Sequence, residues 1–323
     1  MKKKGIFTTD FLSNKQEKLF SYEQYFNLFI RLYKNDLLPN NILLSGQSGL
    51  GKATFAYHFI NFILSDKEDY SYDFKNFTIN PLNKSFRLIN KHYHPNFYLL
   101  ENFADKRSIS IKQVRDMVNY LNKTNFEKIN KFILIDNVEY LNLHSVNALL
   151  KIIEEPNLNT FLILIHNSSI KLAETLKSRC VEFKIFFSNQ EKKKILENLL
   201  IYFNLKIDIN LLEKIKSFYD SPGIILNLVK LINEASIDLS NPNLINIISN
   251  LMEFISRNKN NTNLNLLQNT IELFFFQELI KTNNKSKILL NYSKVLHDLN
   301  CFRKYNIDMN NTFYQIKENI VHG

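Results

Sequence analysis

Ile42-Leu43-Leu44-Ser45-Gly46-Gln47-Ser48-Gly49-Leu50-Gly51-Lys52-Ala53-Thr54 decides the fold. It is a short apolar run, then a glycine-rich turn, then the opening of a helix-like run from Lys52 to Leu64. The turn fits G-x-x-x-x-G-K: glycines let backbone N–H groups point inward around phosphate oxygens, the helix brings its positive N-terminus, and the lysine reaches the outer phosphates. Strand, phosphate loop and helix in that order predict a nucleotide-binding α/β unit. The loop departs from the pattern at one place. The residue after Lys52 is Ala53, where a Ser or Thr hydroxyl would hold magnesium. Thr54 comes one residue late, rotated by ~100° on a helix, and is not expected to substitute.

On either side of this stretch the same alternation holds. Tyr22, Tyr25, Phe26, Leu28 and Phe29 have the spacing of an amphipathic helix. Residues 66–92 are polar and read as a long irregular insertion. Further strands are predicted at Phe97-Tyr98-Leu99-Leu100, Phe132-Ile133-Leu134-Ile135, Phe161-Leu162-Ile163-Leu164-Ile165 and Val181-Glu182-Phe183-Lys184-Ile185. Ser110 with Gln113 has capping-box spacing ahead of the stripe Val114, Met117, Val118, Leu121. Val146, Leu149, Leu150 and Ile153 form another stripe that stops near Pro156. Apolar strands alternating with helices imply a parallel sheet covered on both faces, with ligands at the carboxyl ends of its strands.

One such end is Asp136, placed to hold a metal-bound water. The next residue is Asn137, whose amide hydrogen-bonds a water without taking its proton. Glu139, two residues on, is expected to point elsewhere. Hydrolysis at this site is therefore not expected, while nucleotide binding without turnover stays open. After the fourth strand comes His166-Asn167-Ser168, with Asn167 the best candidate for a polar sensor against the ordinary reading of a turn cap.

From about residue 188 only helical periodicity remains, punctuated at Asp220-Ser221-Pro222-Gly223 and Ser240-Asn241-Pro242. The α/β part is placed at 1–186, a small helical domain at 187–238 and a second helical domain at 239–323. The 323 residues and 45% hydrophobic content suit a globular protein of two or three domains. No apolar run approaches the ~18 residues a membrane span needs, and Met1-Lys2-Lys3-Lys4-Gly5 lacks the apolar run of a secretory signal. Two cysteines, Cys180 and Cys301, make neither a disulfide framework nor a zinc cluster, which points to the cytoplasm. Residues 65–97 contain no cysteine and no zinc is expected; His92 and His94 are read as facing solvent or capping a turn. The net charge of +10 is scattered along the chain and is read mainly as compositional bias.

Two further segments are specific. His144-Ser145-Val146-Asn147-Ala148-Leu149-Leu150-Lys151-Ile152-Ile153-Glu154-Glu155-Pro156 resembles the N-A-L-L-K-x-x-E-E-P helix of the clamp-loader branch of AAA+ proteins, and Ser178-Arg179-Cys180 resembles its S-R-C motif. Residues 41–185 follow that family's order; in the last 80 or so, only helical character and position agree. The resemblance implies an AAA+ domain, a helical lid and a helical collar for oligomerisation. Gly51-Lys52-Ala53, Asp136-Asn137, the run through Tyr57 and His94-Pro95-Asn96-Phe97 are similar to the subunits with a degenerate site rather than to the ATPase subunits. Ser221-Pro222-Gly223 is followed by Ile224, where the family often has an arginine that contacts nucleotide.

The same resemblance implies a set of site residues and partners. Gly46, Gly49, Gly51, Lys52, Ala53, Thr54, Asp136 and Asn167 would line a degenerate nucleotide site, with ATP bound if at all but not hydrolysed. Arg179 would act as an arginine finger on a neighbour. The implied partners are the ATPase subunits and the delta subunit of a pentameric ring, with the sliding clamp and primer–template DNA met through the assembly during replication, and no membrane. An active ATPase with unusual metal ligation and a basic DNA-binding module with a vestigial loop are the competing readings.

Overall fold

The computed structural model describes residues 12–102, 108–122, 130–156, 159–235, 243–258, 264–282, 284–305 and 307–321. The basic start and Ser240-Asn241-Pro242 lie outside them, as does the expected boundary at 238. The chain divides into two compact units, Met1–Ile195 and Leu196–Gly323.

The first unit is built on a parallel sheet of β1 (Asn41–Gly46), β2 (Phe97–Leu100), β3 (Lys131–Ile135), β4 (Thr160–Asn167) and β5 (Val181–Lys184), in the order β2-β3-β4-β1-β5. Pairing aligns Leu100, Ile135, Leu164 and Leu43 in one row across four strands. Side chains alternate along a strand. That row therefore shares a face with Ile133 and Leu162, and it packs on Val114, Met117 and Leu121 of α4 (Ile111–Leu121) and on Val146, Leu149 and Ile153 of α5 (Leu143–Glu154). Ser110 and Gln113 make the expected reciprocal cap of α4. The opposite face is aromatic. Phe29 of α1 (Glu23–Lys34) meets Phe183 of β5 with ring centroids 4.7 Å apart and Phe55 of α2 (Lys52–Leu64) at 5.0 Å, and Phe132 stacks on Phe161.

The insertion is more ordered than its polarity suggests. It contains α3 (Lys84–Asn90), capped by the Asn83 side chain, which accepts from Phe86 N–H. The Glu68 carboxylate also takes the N–H groups of Lys84 and Ser85 and the Ser85 hydroxyl. Of the two histidines, His92 is exposed in a left-handed conformation, while His94 is buried and caps a turn. Its Nδ1 accepts from Asn96 N–H, so Nε2 carries the proton and donates to Ser85 Oγ. A short α6 (Glu174–Lys177) precedes β5, and α7 (Asn189–Tyr202) follows it.

The second unit is helical: α8 (Ile209–Lys216), α9 (Pro222–Glu234), α10 (Leu244–Asn258), α11 (Leu264–Lys281), α12 (Lys285–Tyr305) and α13 (Met309–Val321). Pro222 opens α9 behind the Ser221 cap position, where proline is tolerated. A single apolar core runs from Leu211 and Val229 through Leu251 and Ile271 to Ile316. Among the described residues no helix is long and apolar enough to cross a membrane.

Candidate functional site

β1 ends at Gly46, β3 just before Asp136 and β4 at Asn167, all at the carboxyl edge of the sheet, with Gly46 and Asn167 in register. Gly46, Gly49 and Gly51 have φ of 154°, 78° and 88°, which glycine alone adopts freely. Gly46 also has no room for a side chain, because an added Cβ would sit 2.6 Å from the Ile185 carbonyl oxygen. The loop is clamped from behind by a residue that the sequence did not single out for this. The Tyr22 hydroxyl donates to the Leu50 carbonyl at 2.9 Å, and its ring stacks on Phe55. Nothing in its spacing sets Tyr22 apart from its aromatic neighbours.

Lys52 is buried, and its ammonium donates to the carbonyls of Gly46 (2.8 Å) and Gln47 (2.7 Å). Burial pulls its pKa down to about 8, against the opposing pull of Glu139 and then Asp136. Asp136 is pushed up to about 6, first by burial and then by Glu101; the Asn137 N–H and Lys52 act in the other direction. Glu101 and Asp136 are neighbours because each directly follows a strand of one aligned pair, Leu100 beside Ile135. That acid pair was findable from the strand alignment. Burial raises the hydroxyl pKa of Tyr57 of α2, and Asp136 and then Glu101 add to it.

Glu139 corrects an expectation. It does not point away: its carboxylate accepts from Asn167 N–H at 3.3 Å, and it is the leading charge acting on Lys52. Asn137 takes a left-handed backbone (φ 56°), and the 3-10 turn Val138–Tyr140 then swings Glu139 back over the loop. Asn167 sits beside the loop with its side-chain oxygen accepting from Ser169 N–H, a turn-capping contact. Ala53 and Thr54 are both half-buried at the start of α2.

The donor set fits phosphate: left-handed glycines, the N-terminus of a 13-residue helix and a lysine. It lacks the hydroxyl that normally anchors magnesium there. Among the described residues, no group of three or more His, Cys, Asp or Glu side chains is arranged to hold a metal ion.

Arg179 lies elsewhere. It follows α6 and precedes Val181, the first residue of β5, so it stands at the amino edge of the sheet. Its Nε donates to Glu154 Oε1 at 2.7 Å and its Nη1 to the Thr175 carbonyl at 3.0 Å, with 39% of the side chain exposed. Cys180 beside it is half-buried, and burial pushes its thiol up to about 11.

Residues 22–189 match the family model described as DNA polymerase III, delta subunit. The chain belongs to this family. The delta' subunit of Pseudomonas aeruginosa DNA polymerase III is 32% identical over 140 residues, covering 43% of this chain and 41% of that one. The delta' subunit of Buchnera aphidicola subsp. Baizongia pistaciae is 28% identical over 194 residues, 56% of each chain. That of Buchnera aphidicola subsp. Schizaphis graminum is 28% identical over 289 residues, 86% of this chain and 82% of the relative. The matched stretch thus spans 41% and 56% of the first two relatives. The family-model match covers both edges of the sheet, the phosphate loop and Arg179 alike.

Proposed function

We propose that this chain is the delta-prime subunit of a clamp loader of DNA polymerase III and that its catalytic contribution is made in trans. Its own loop cradles phosphate without turning it over, and Arg179 is lent to a triphosphate held by an adjacent ATPase subunit. The subunit sits in a pentameric ring with those ATPase subunits and delta, and the assembly opens a sliding clamp and sets it on primer–template DNA. The work takes place in the cytoplasm.

One observation supports the trans reading above all. Val181 pairs with Ile42, four residues before Gly46 on β1, and four residues of strand are ~13 Å. Arg179 is two residues further back. The finger and the loop of one chain therefore occupy opposite edges of the sheet, and Arg179 is out of reach of its own site. Its exposed guanidinium is a fixed positive charge of the kind that stabilises phosphoryl transfer.

The test uses the purified assembly carrying Arg179→Ala. Hydrolysis at the one adjoining site should slow by ~10²-fold, read as the loss of one phase from a single-turnover time course. Sites that do not receive Arg179 continue. An unchanged time course rejects the finger.

Glu139 favours a second reading, in which the chain itself hydrolyses ATP, because it returns a carboxylate to the loop that Asn137 does not provide. Turnover by the isolated chain that Lys52→Ala abolishes would establish it in place of the first.

A further inference from the structure

The finger is held in a defined pose by its own chain. A guanidinium is a flat fork with three nitrogen corners and no torsional freedom within it. Here Nε is held by the Glu154 carboxylate and Nη1 by the Thr175 carbonyl, which also accepts from the Ser178 hydroxyl at 3.2 Å. Both supports are rooted in helices. Glu154 is the last residue of α5, and the carbonyl of the preceding, buried Ile153 accepts from the side-chain amide of Asn41, the first residue of β1, at 2.9 Å. Thr175 lies within α6, whose Leu176 is fully buried. With Nε and Nη1 engaged, Nη2 is the corner left without a hydrogen bond among the described residues.

We infer that Glu154 is a positioning residue for Arg179, orienting the guanidinium so that its Nη2 corner meets a phosphate oxygen brought by another subunit. This deepens the proposed finger role and rests on it. A surface ion pair of this exposure contributes little to stability. Its value lies in geometry, where small misplacements of a catalytic group cost rate.

The experiment compares Glu154→Ala, Glu154→Gln, Arg179→Ala and the Glu154→Ala/Arg179→Ala double variant in the purified assembly, using ATP in single-turnover and steady-state formats. Glu154→Ala should slow the Arg179-dependent phase about tenfold, with the ATP concentration for half-maximal rate unchanged, as expected for an interaction that matters in the transition state. Glu154→Gln keeps an acceptor oxygen and should lose only about two- to threefold. The double variant should be no slower than Arg179→Ala alone, because a positioning residue has nothing left to position. The inference is overturned if Glu154→Ala leaves the phase unchanged or speeds it up, or if its loss adds to that of Arg179→Ala. If Arg179→Ala has no effect, the finger reading falls and this inference with it; if Arg179→Ala slows the phase and Glu154→Ala does not, only the inference falls.

Discussion

The carboxyl and amino edges of the sheet each carry a cation, and the fold treats the two oppositely. At the carboxyl edge Lys52 is buried, turned onto the carbonyls of Gly46 and Gln47 and ringed by Asp136 and Glu139. At the amino edge Arg179 is more than a third exposed and held by one still more accessible carboxylate. Charges enclosed in a low-dielectric interior are coupled to the packing around them, and disturbing them disturbs the fold. Charges at the surface are cheap to keep and to lose, so their geometry is free to serve a partner. The carboxyl edge encloses its lysine in a loop of nucleotide-site architecture, and the amino edge leaves its arginine side chain open to solvent.

The largest effect expected from this contrast is at Gly46. A methyl group there meets the Ile185 carbonyl at 2.6 Å, in a backbone conformation that alanine disfavours. Gly46→Ala should destabilise the isolated chain by about 3–5 kcal/mol, combining a strained φ with overpacking against backbone. Urea denaturation measures it. A loss under about 1 kcal/mol, the size of an ordinary substitution, would mean that the loop is not wedged against the segment after β5, and the contrast between the two edges would weaken.

A second, smaller effect tests the buried charges by pH. Folded Asp136 holds its proton up to about pH 6, while in the unfolded chain it leaves near 3.8. Between those values the folded chain binds more protons, so this group's contribution is full below pH 3.8 and is lost as the pH rises through 6. The gap between 3.8 and about 6 corresponds to roughly 2–3 kcal/mol. The difference in unfolding free energy between wild type and Asp136→Asn should therefore change by about 2 kcal/mol from about pH 4 to about pH 7, with the variant favoured at the higher pH. Lys52 acts at the other end. Its folded pKa of about 8 lies below 10.5, so its penalty is present below pH 8 and relaxes as the pH rises from 8 to 10.5. A pH-independent difference for Asp136→Asn would place that carboxylate in water.

These contrasts also mark what the sequence could disclose. β1, β3 and β4 are fully or mostly buried, so their apolar runs had to appear, and the glycines of the loop had to be glycines. α3 was hidden because only Phe86 and Ile89 supply apolar burial, and the rest of its anchoring is polar, through Asn83 and Glu68. The direction of Glu139 was hidden because it depends on one left-handed residue, Asn137, which many sequences reach without announcing it. The partner of Arg179 was hidden for a third reason. Glu154 lies 25 residues away, and only the return of α5 to the amino edge brings them together.

The smallest expected effect is the most discriminating. Arg179→Ala breaks the Glu154 ion pair and the Thr175 contact, yet the arginine and glutamate side chains are both more than a third exposed. Such pairs are worth about 0–1 kcal/mol and are screened by salt. The isolated variant should unfold within about 0.5 kcal/mol of wild type in low salt, and the gap should narrow further in about 1 M salt. If instead the variant loses several kcal/mol and salt does not change it, Arg179 is part of the structural framework like Lys52. Any slowing of a neighbour's hydrolysis would then have to be reassigned to a damaged fold.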